Sequence, residues 1–284
     1  MKSILLATDF SDRADRAAKR ATALARAHGA SLNVLHVVDK ALPRRVFDAQ
    51  EPASRAQLED ISDHAASQGV KCSVLLEHSE AHEAICEAAL ATASDLVIVG
   101  SHRRDAMRNA SIGTTAERML LMGTTPLLIV RTDDTQDYSR PVIAVNLEDE
   151  GISHILRVQE LGIVPNESIV AVFGYEAGQF QIMRRAGATL AELNEVFEEE
   201  LKTVQPTVNR FMGDAGLDPA QAVVKPILYN TPDTVLSAAR ESKADLLVVG
   251  SRRKTAFKRY TLGSVSEACI LRAETDLLIL PPTD

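Results

Sequence analysis

The sequence predicts an α/β protein of two tandem three-layer α/β/α domains, each with a five-stranded parallel sheet. First, the sequence of residues 94–130 aligns without a gap with that of residues 244–280, 150 positions later. Second, short apolar runs alternate with helical patterns, an order that requires parallel strands and right-handed crossovers. Third, 284 residues suffice for two domains of about 130 to 150 residues, each with its own core.

A polar segment over residues 133–139, followed by Pro141, has the composition of an interdomain linker. We therefore expect a first domain over residues 1–132 and a second over residues 140–284. The fifth strand of each repeat is a candidate edge for packing the two copies together, because an uncovered apolar edge promotes aggregation.

The first repeat opens with the apolar run Ser3–Thr8, typical of a buried parallel strand, and Asp9 and Ser11 follow it as helix-capping residues. Small apolar residues spaced three and four apart predict a helix from about Asp12 to Gly29. The same reasoning predicts further strands over residues 31–39, 71–76, 94–100 and 126–131, and helices over residues 51–68, 80–93 and from 113 onwards.

The second repeat begins with the strand Pro141–Val145, and Asn146 stands where the first repeat has Asp9. The offset between the repeats grows from 137 to 150, so the second repeat has gained about 13 residues, which we place between positions 174 and 213.

This added length contains a helical pattern over residues 188–211, which predicts a longer second helix with Glu side chains opposite an apolar stripe. Pro206 is expected to kink or divide it. Its acidic face is either a docking surface or a solvated helix face.

Composition excludes several classes of protein. The net charge of −8 lies wholly after residue 132, so the chain lacks the basic footprint of a DNA-binding protein. No apolar run reaches the length of a membrane span, and Asp9 follows the start too soon for a signal peptide, so we expect a cytoplasmic protein. The three cysteines and seven histidines show no metal-ligand spacing, which predicts neither metal nor catalytic residues.

Each repeat carries a loop with one spacing: Gly-x-x-Arg, nine residues, then Gly-Thr or Gly-Ser. In the first repeat this is Gly100 to Arg103 and then Gly113–Thr114, and in the second Gly250 to Arg253 and then Gly263–Ser264. Parallel sheets bind small ligands where loops leave the carboxyl ends of the strands, and helix N-termini there favour phosphates.

These loops, together with Thr8–Ser11 and the strand Val34–Asp39, resemble the universal stress protein family, in tandem form over nearly the whole chain. The resemblance implies an adenine nucleotide alpha hydrolase-like fold and, in the first repeat, an adenine-nucleotide site. Asp9 would accept a hydrogen bond from the adenine amino group beside Thr8 and Val37. Val99 and Gly100 would line the ribose. The residues that would lie beside the phosphates are Arg103, Gly113, Thr114 and Thr115.

In the second repeat the corresponding residues are Gly250, Arg253, Gly263, Ser264 and Val265. Asn146 keeps an acceptor oxygen but not a carboxylate, so we expect binding in the first repeat rather than the second. Both repeats depart from the family pattern, which has a second glycine where this chain has Arg103 and Arg253. Arg103 is either a clamp on the phosphates or a plug that excludes them.

The function predicted from the sequence is a non-enzymatic stress-response regulatory protein that binds ATP or AMP, with Mg²⁺ accompanying ATP. One alternative is a scaffold that binds protein partners and no nucleotide. Another is a weak ATPase or phosphotransferase, which needs an acid or a metal ligand near the γ-phosphate. We expect no nucleic-acid or membrane partner, an intramolecular pseudo-dimer of the two repeats, and association into a homodimer.

Overall fold

The structure is a computed structural model that describes residues 1–101, 115–251 and 263–282. Its contacts divide the chain into two compact units. Of the described residues, the first unit contains residues 1–137, 251, 263 and 274–281, and the second contains residues 138–250, 264–273 and 282. The last strand of the second sequence repeat therefore belongs to the first unit.

The first unit is a parallel sheet with helices in the crossover connections, as predicted. Its strands follow the order β3-β2-β1-β4-β5. Along the chain its elements are β1 (Ser3–Thr8), α1 (Asp12–His28), β2 (Ser31–Asp39), α2 (Arg44–Ser67), β3 (Cys72–Ser79), α3 (Ala81–Ala91), β4 (Leu96–Gly100), α4 (Thr115–Met122) and β5 (Leu127–Val130).

Helix α1 has the ends that the sequence predicts. The Ser11 side chain accepts from the backbone N–H of Ala14 at its start, and Gly29 ends it with φ of 60°, in the left-handed region.

Helix α2 starts at Arg44, seven residues before the predicted start at Glu51, so that prediction is wrong. It continues through Pro52, which lies in an exposed stretch where water can satisfy the carbonyl that loses its partner.

Strand β10 (Asp276–Leu280) pairs antiparallel with β5, with Leu278 opposite Leu128, and both strands are buried along their whole length. The fifth strands of the two sequence repeats therefore pair with each other. This pairing covers the edge that β5 would otherwise expose.

The second unit has four parallel strands in the order β9-β6-β7-β8. Its elements along the chain are β6 (Pro141–Val145), α5 (Asp149–Leu161), β7 (Val170–Tyr175), α6 (Gly178–Arg185), α7 (Leu190–Asp214), β8 (Ala222–Pro226), α8 (Thr231–Glu241), β9 (Leu246–Gly250) and α9 (Ser264–Arg272).

The residues gained by the second repeat form an additional helix. Between β7 and β8 the chain builds both α6 and α7, whereas α2 alone joins β2 to β3. Helix α7 runs unbroken through Pro206, so the proline does not divide it. The carboxylate of Glu200 in α7 accepts from the first backbone N–H groups of α6, at 2.9 Å from Gln179 N, and so ties the two helices together.

Candidate functional site

The carboxyl ends of β1, β2 and β4 lie side by side in the first unit. The strand register sets Thr8 opposite His36 and Ala7 opposite Val99. Asp9, Val37 and Gly100 therefore stand at one edge of the sheet, as the sequence predicts. Thr115 is half-buried at the start of α4, the helix that follows β4 in the chain.

Asp9 is an exposed carboxylate whose oxygen Oδ1 is already engaged. It accepts from the Ser11 hydroxyl at 2.5 Å and from the Ser11 backbone N–H at 3.1 Å. Partial burial acts to raise the pKa of Asp9, but these hydrogen bonds and the charge of Arg13 outweigh it, so the pKa lies below its ordinary value. Asp9 is ionised at neutral pH, and within the described residues Oδ2 receives no hydrogen bond.

Phe10 and His36 form an aromatic pair beside Asp9 that the sequence alone does not indicate. Their ring centroids are 4.2 Å apart and the planes are tilted by 31°. Phe10 has φ of 58°, a conformation held by its N–H, which donates to Thr8 Oγ1 at 3.0 Å. His36 Nδ1 lies 2.8 Å from the Thr8 carbonyl oxygen. No local pattern marks this pair, because the strand pairing brings the rings together.

Gly100 is required because α1 begins directly against the end of β4. A Cβ at this position would lie 2.7 Å from the carbonyl oxygen of Arg13 and 2.9 Å from the backbone nitrogen of Ala14. These contacts are with backbone atoms, which cannot rotate away as a side chain would. Gly100 thus brings the ends of β1 and β4 and the start of α1 close together.

The phosphate-binding part of the prediction falls outside the described residues. Arg103, Gly113, Thr114 and Arg253 all lie within residues 102–114 and 252–262, which the structure does not describe.

The second unit differs from the first at the matching strand ends. The amide nitrogen of Asn146 donates to Glu148 at 2.6 Å. Gly250 lies against the buried side chain of His154, since a Cβ there would be 1.9 Å from the imidazole ring. Gly263 and Val265 are half-buried and Ser264 is exposed at the start of α9.

Neither a metal centre nor a membrane span emerges from the part of the chain that the structure describes. There, no three His, Cys, Asp or Glu side chains gather in a group that could hold a metal ion. None of the helices described is both long and apolar enough to cross a bilayer.

Comparison with protein families identifies the chain. The family model described as "Universal stress protein family" matches residues 1–131 and 177–281. This chain belongs to the universal stress protein family. The residues matched include those that contribute Thr8, Asp9, Val37 and Gly100 to the strand ends of the first unit.

Individual relatives agree with the family. A Thermus aquaticus protein named "Universal stress protein in QAH/OAS sulfhydrylase 3'region" is 33% identical over 143 residues, which are 46% of this chain and 98% of the relative. Relatives of that length correspond to one repeat of the present chain.

Solved structures of tandem length share the fold. A universal stress protein from Archaeoglobus fulgidus aligns with a TM-score of 0.72 at 16% identity, covering 98% of both chains. A functionally unknown protein from Pseudomonas aeruginosa aligns with a TM-score of 0.67 at 17% identity, covering 99% of this chain and 93% of its own. At these identities the likeness concerns the fold alone.

Proposed function

We propose that the first repeat of this universal stress protein binds an adenine nucleotide, ATP or AMP, and that the chain acts as a regulatory protein of the cytoplasm. The observation that carries the proposal is the ionised, exposed carboxylate of Asp9 at the end of β1, whose Oδ2 is not engaged by the described residues. Such an oxygen is suited to accept a hydrogen bond from the adenine amino group.

The surroundings of Asp9 suit a planar base with a sugar. The Phe10 and His36 rings and the half-buried Val37 offer apolar and aromatic contact next to the carboxylate. In this proposal Gly100 lines the ribose, beside Thr8 and Val99. In this proposal Thr115, together with Arg103, Gly113 and Thr114, holds the phosphates, and Mg²⁺ accompanies ATP.

The second repeat is proposed as a divergent partner domain. Asn146 stands in the place of Asp9, and its amide nitrogen is engaged by Glu148. The replacement removes the negative charge that would strengthen a hydrogen bond from an adenine amino group. Gly263, Ser264 and Val265 remain at the start of α9 as the phosphate-side residues of this repeat.

The test is a thermal-shift titration of the intact chain with ATP and Mg²⁺, and separately with AMP. Binding should stabilise the fold by about 2.7 kcal/mol when the nucleotide reaches about 100 times its Kd. Asp9→Ala should abolish the shift, whereas Asn146→Ala, the matched change in the second repeat, should leave it intact. A chain that shows no shift at millimolar nucleotide, or an unchanged shift in Asp9→Ala, contradicts the proposal.

A second variant asks what Arg103 does. If its guanidinium clamps the phosphates, Arg103→Gly should weaken ATP binding and leave adenosine binding unchanged. If it occupies the space that the family glycine leaves open, the same variant should bind ATP more tightly. We propose the clamp, so tighter binding by Arg103→Gly, measured by calorimetry, would contradict that role.

Scaffolding is a second candidate function, favoured by exposed apolar side chains in the second unit. Ile182 and Leu190, on α6 and α7, are 70% and 75% exposed, and Tyr229 is 79% exposed. Protein partners would cover such residues.

Turnover of labelled ATP that is lost in Asp9→Ala would favour the third candidate, a weak ATPase. Light scattering of the intact chain tests the proposed homodimer.

A further inference from the structure

The second unit contains a cavity of about 180 Å³ at the carboxyl ends of three adjacent strands. Parallel α/β sheets bind ligands at this edge, and well-packed interiors hold few voids larger than a water molecule. Helix α7, which with α6 joins β7 to β8, contributes Val204 and Val208 to the wall of the cavity. The apolar residues of its wall are Val145, Leu147, Phe173, Val204, Val208 and Val224.

The wall is unsuited to a nucleotide. Among the residues that the structure describes, no Lys, Arg or His lines it, so a phosphate inside would find no cation among them to balance its charge. The polar side chains at its margin are Asn146, whose amide nitrogen donates to Glu148 at 2.6 Å, and Tyr175. The charge that these contacts bring next to a lining residue is the negative charge of Glu148. This chemistry selects a neutral molecule.

The cavity occupies the position that the first repeat uses for Asp9 and His36. The strand registers set Val145 opposite Phe173 just as Thr8 is set opposite His36. A valine thus replaces a threonine, a phenylalanine replaces the histidine, and Asn146 replaces the aspartate. Each exchange lowers the polarity or removes a charge.

Phe173 gives the cavity an aromatic wall of fixed orientation. Its ring meets Phe211 of α7 edge to face, with centroids 5.3 Å apart. Val208, on the same helix, is fully buried. Aromatic rings prefer edge-to-face and offset contacts with one another, so a flat aromatic guest gains more from this wall than an aliphatic guest of equal size.

We propose that this cavity is a binding site for a small neutral aromatic compound of about benzene to indole size. A cavity of about 150 Å³ with apolar walls is known to accept benzene. The Asn146 side chain, which lines the cavity, suits one hydrogen-bonding group on the guest. The site is separate from the nucleotide site proposed for the first repeat.

Indole is the probe for the test, titrated into the intact chain carrying ¹³C-labelled valine methyl groups. Saturable shifts are expected for the methyls of Val145, Val204, Val208 and Val224, with a Kd between micromolar and a few millimolar. ATP and adenosine should leave these methyls unmoved. The proposal is overturned if indole causes no saturable shift up to its solubility, or if adenosine moves the same methyls.

Variants then locate the site. Val204→Phe, which fills the cavity from a half-buried position, should weaken indole binding at least tenfold, whereas Thr203→Phe, on the exposed side of α7, should not. Asn146→Asp, which introduces charge at the margin without adding bulk, should also weaken it. Unchanged affinity in both Val204→Phe and Asn146→Asp overturns the location. Asp9→Ala should leave indole binding intact, so failure here is distinguishable from failure of the nucleotide proposal.

Discussion

At the scale of single residues, Asp9 combines structural and binding roles. Oδ1 receives the hydroxyl and N–H of Ser11, the same residue whose side chain caps α1. The pKa of Asp9 is lowered, which means that the folded state stabilises the ionised carboxylate over the protonated carboxyl. The stabilisation that this brings is present above the ordinary pKa of the carboxyl and is lost as the pH falls through the lowered pKa.

Ser11→Ala should raise the pKa of Asp9 towards its ordinary value, because it removes the hydroxyl donor and leaves the backbone donor. The loss of the cap should also cost about 0.5–2 kcal/mol in the free energy of unfolding. A carboxyl-carbon NMR titration measures the first effect and urea unfolding the second. Ser11→Thr keeps the hydroxyl and serves as control; equal pKa values in the two variants would contradict the role given to Ser11.

Gly100 and Gly250 hold the same position in the two repeats, but each is required for a different physical reason. Gly100 admits the backbone of Arg13 and Ala14, whereas Gly250 admits the ring of His154. A backbone cannot move aside, but a side chain can be shortened. The requirement for glycine is therefore stricter at position 100 than at position 250.

At the scale of elements, α7 shows how local signals in the sequence define the start of a helix. Its first residues form a capping box, in which the Thr189 hydroxyl accepts from Glu192 N and the Glu192 carboxylate accepts from Thr189 N at 2.8 Å. Hydrogen bonding to Thr189 lowers the pKa of Glu192. Helix α7 then supplies Val204 and Val208 to the cavity of the second unit.

Thr189→Ala should destabilise the second unit by about 1 kcal/mol, since it removes one half of the capping box. Amide hydrogen exchange should accelerate in the first turn of α7 and remain unchanged in α1, which carries its own cap at Ser11. Thr189→Ser keeps the hydroxyl and should behave like the parent chain. Exchange that accelerates equally in both helices would indicate a global effect and contradict a local cap.

At the scale of the whole molecule, Asp276, the first residue of β10, bonds this strand of the second sequence repeat to residues of the first unit. It is fully buried, and Oδ1 accepts from the backbone N–H of Arg131 at 2.8 Å and of Thr132 at 3.0 Å. The guanidinium of Arg20, itself only 3% exposed, lies 3.5 Å from Oδ2 and also donates to the carbonyl oxygens of Asp134 and Gln136.

Asp276→Ala should destabilise the chain by about 3–5 kcal/mol, because it leaves the charge of Arg20 buried without its carboxylate. Urea unfolding measures the loss, and limited proteolysis should detect release of the segment around β10. The double variant Arg20→Met with Asp276→Leu should recover part of the stability, since it removes both charges. A single variant as stable as the parent would contradict the role of the pair.

The sequence by itself determined the repeat, the alternation of strands and helices, and the gathering of Asp9, Val37 and Gly100 at one sheet edge. These follow from patterns within one element or from the rule that parallel strands end together. The early start of α2 escaped prediction because Pro52 reads locally as a helix beginning.

The sequence already indicates that the fifth strands of the two repeats pack together, as β5 and β10 do. Only the tertiary structure decided that Phe10 meets His36 and that α7 lines an apolar cavity beside Phe173. Each of these contacts joins residues far apart in the chain. Their energies depend on the shapes and charges that meet once the elements pack, and no periodicity within a single segment encodes that meeting.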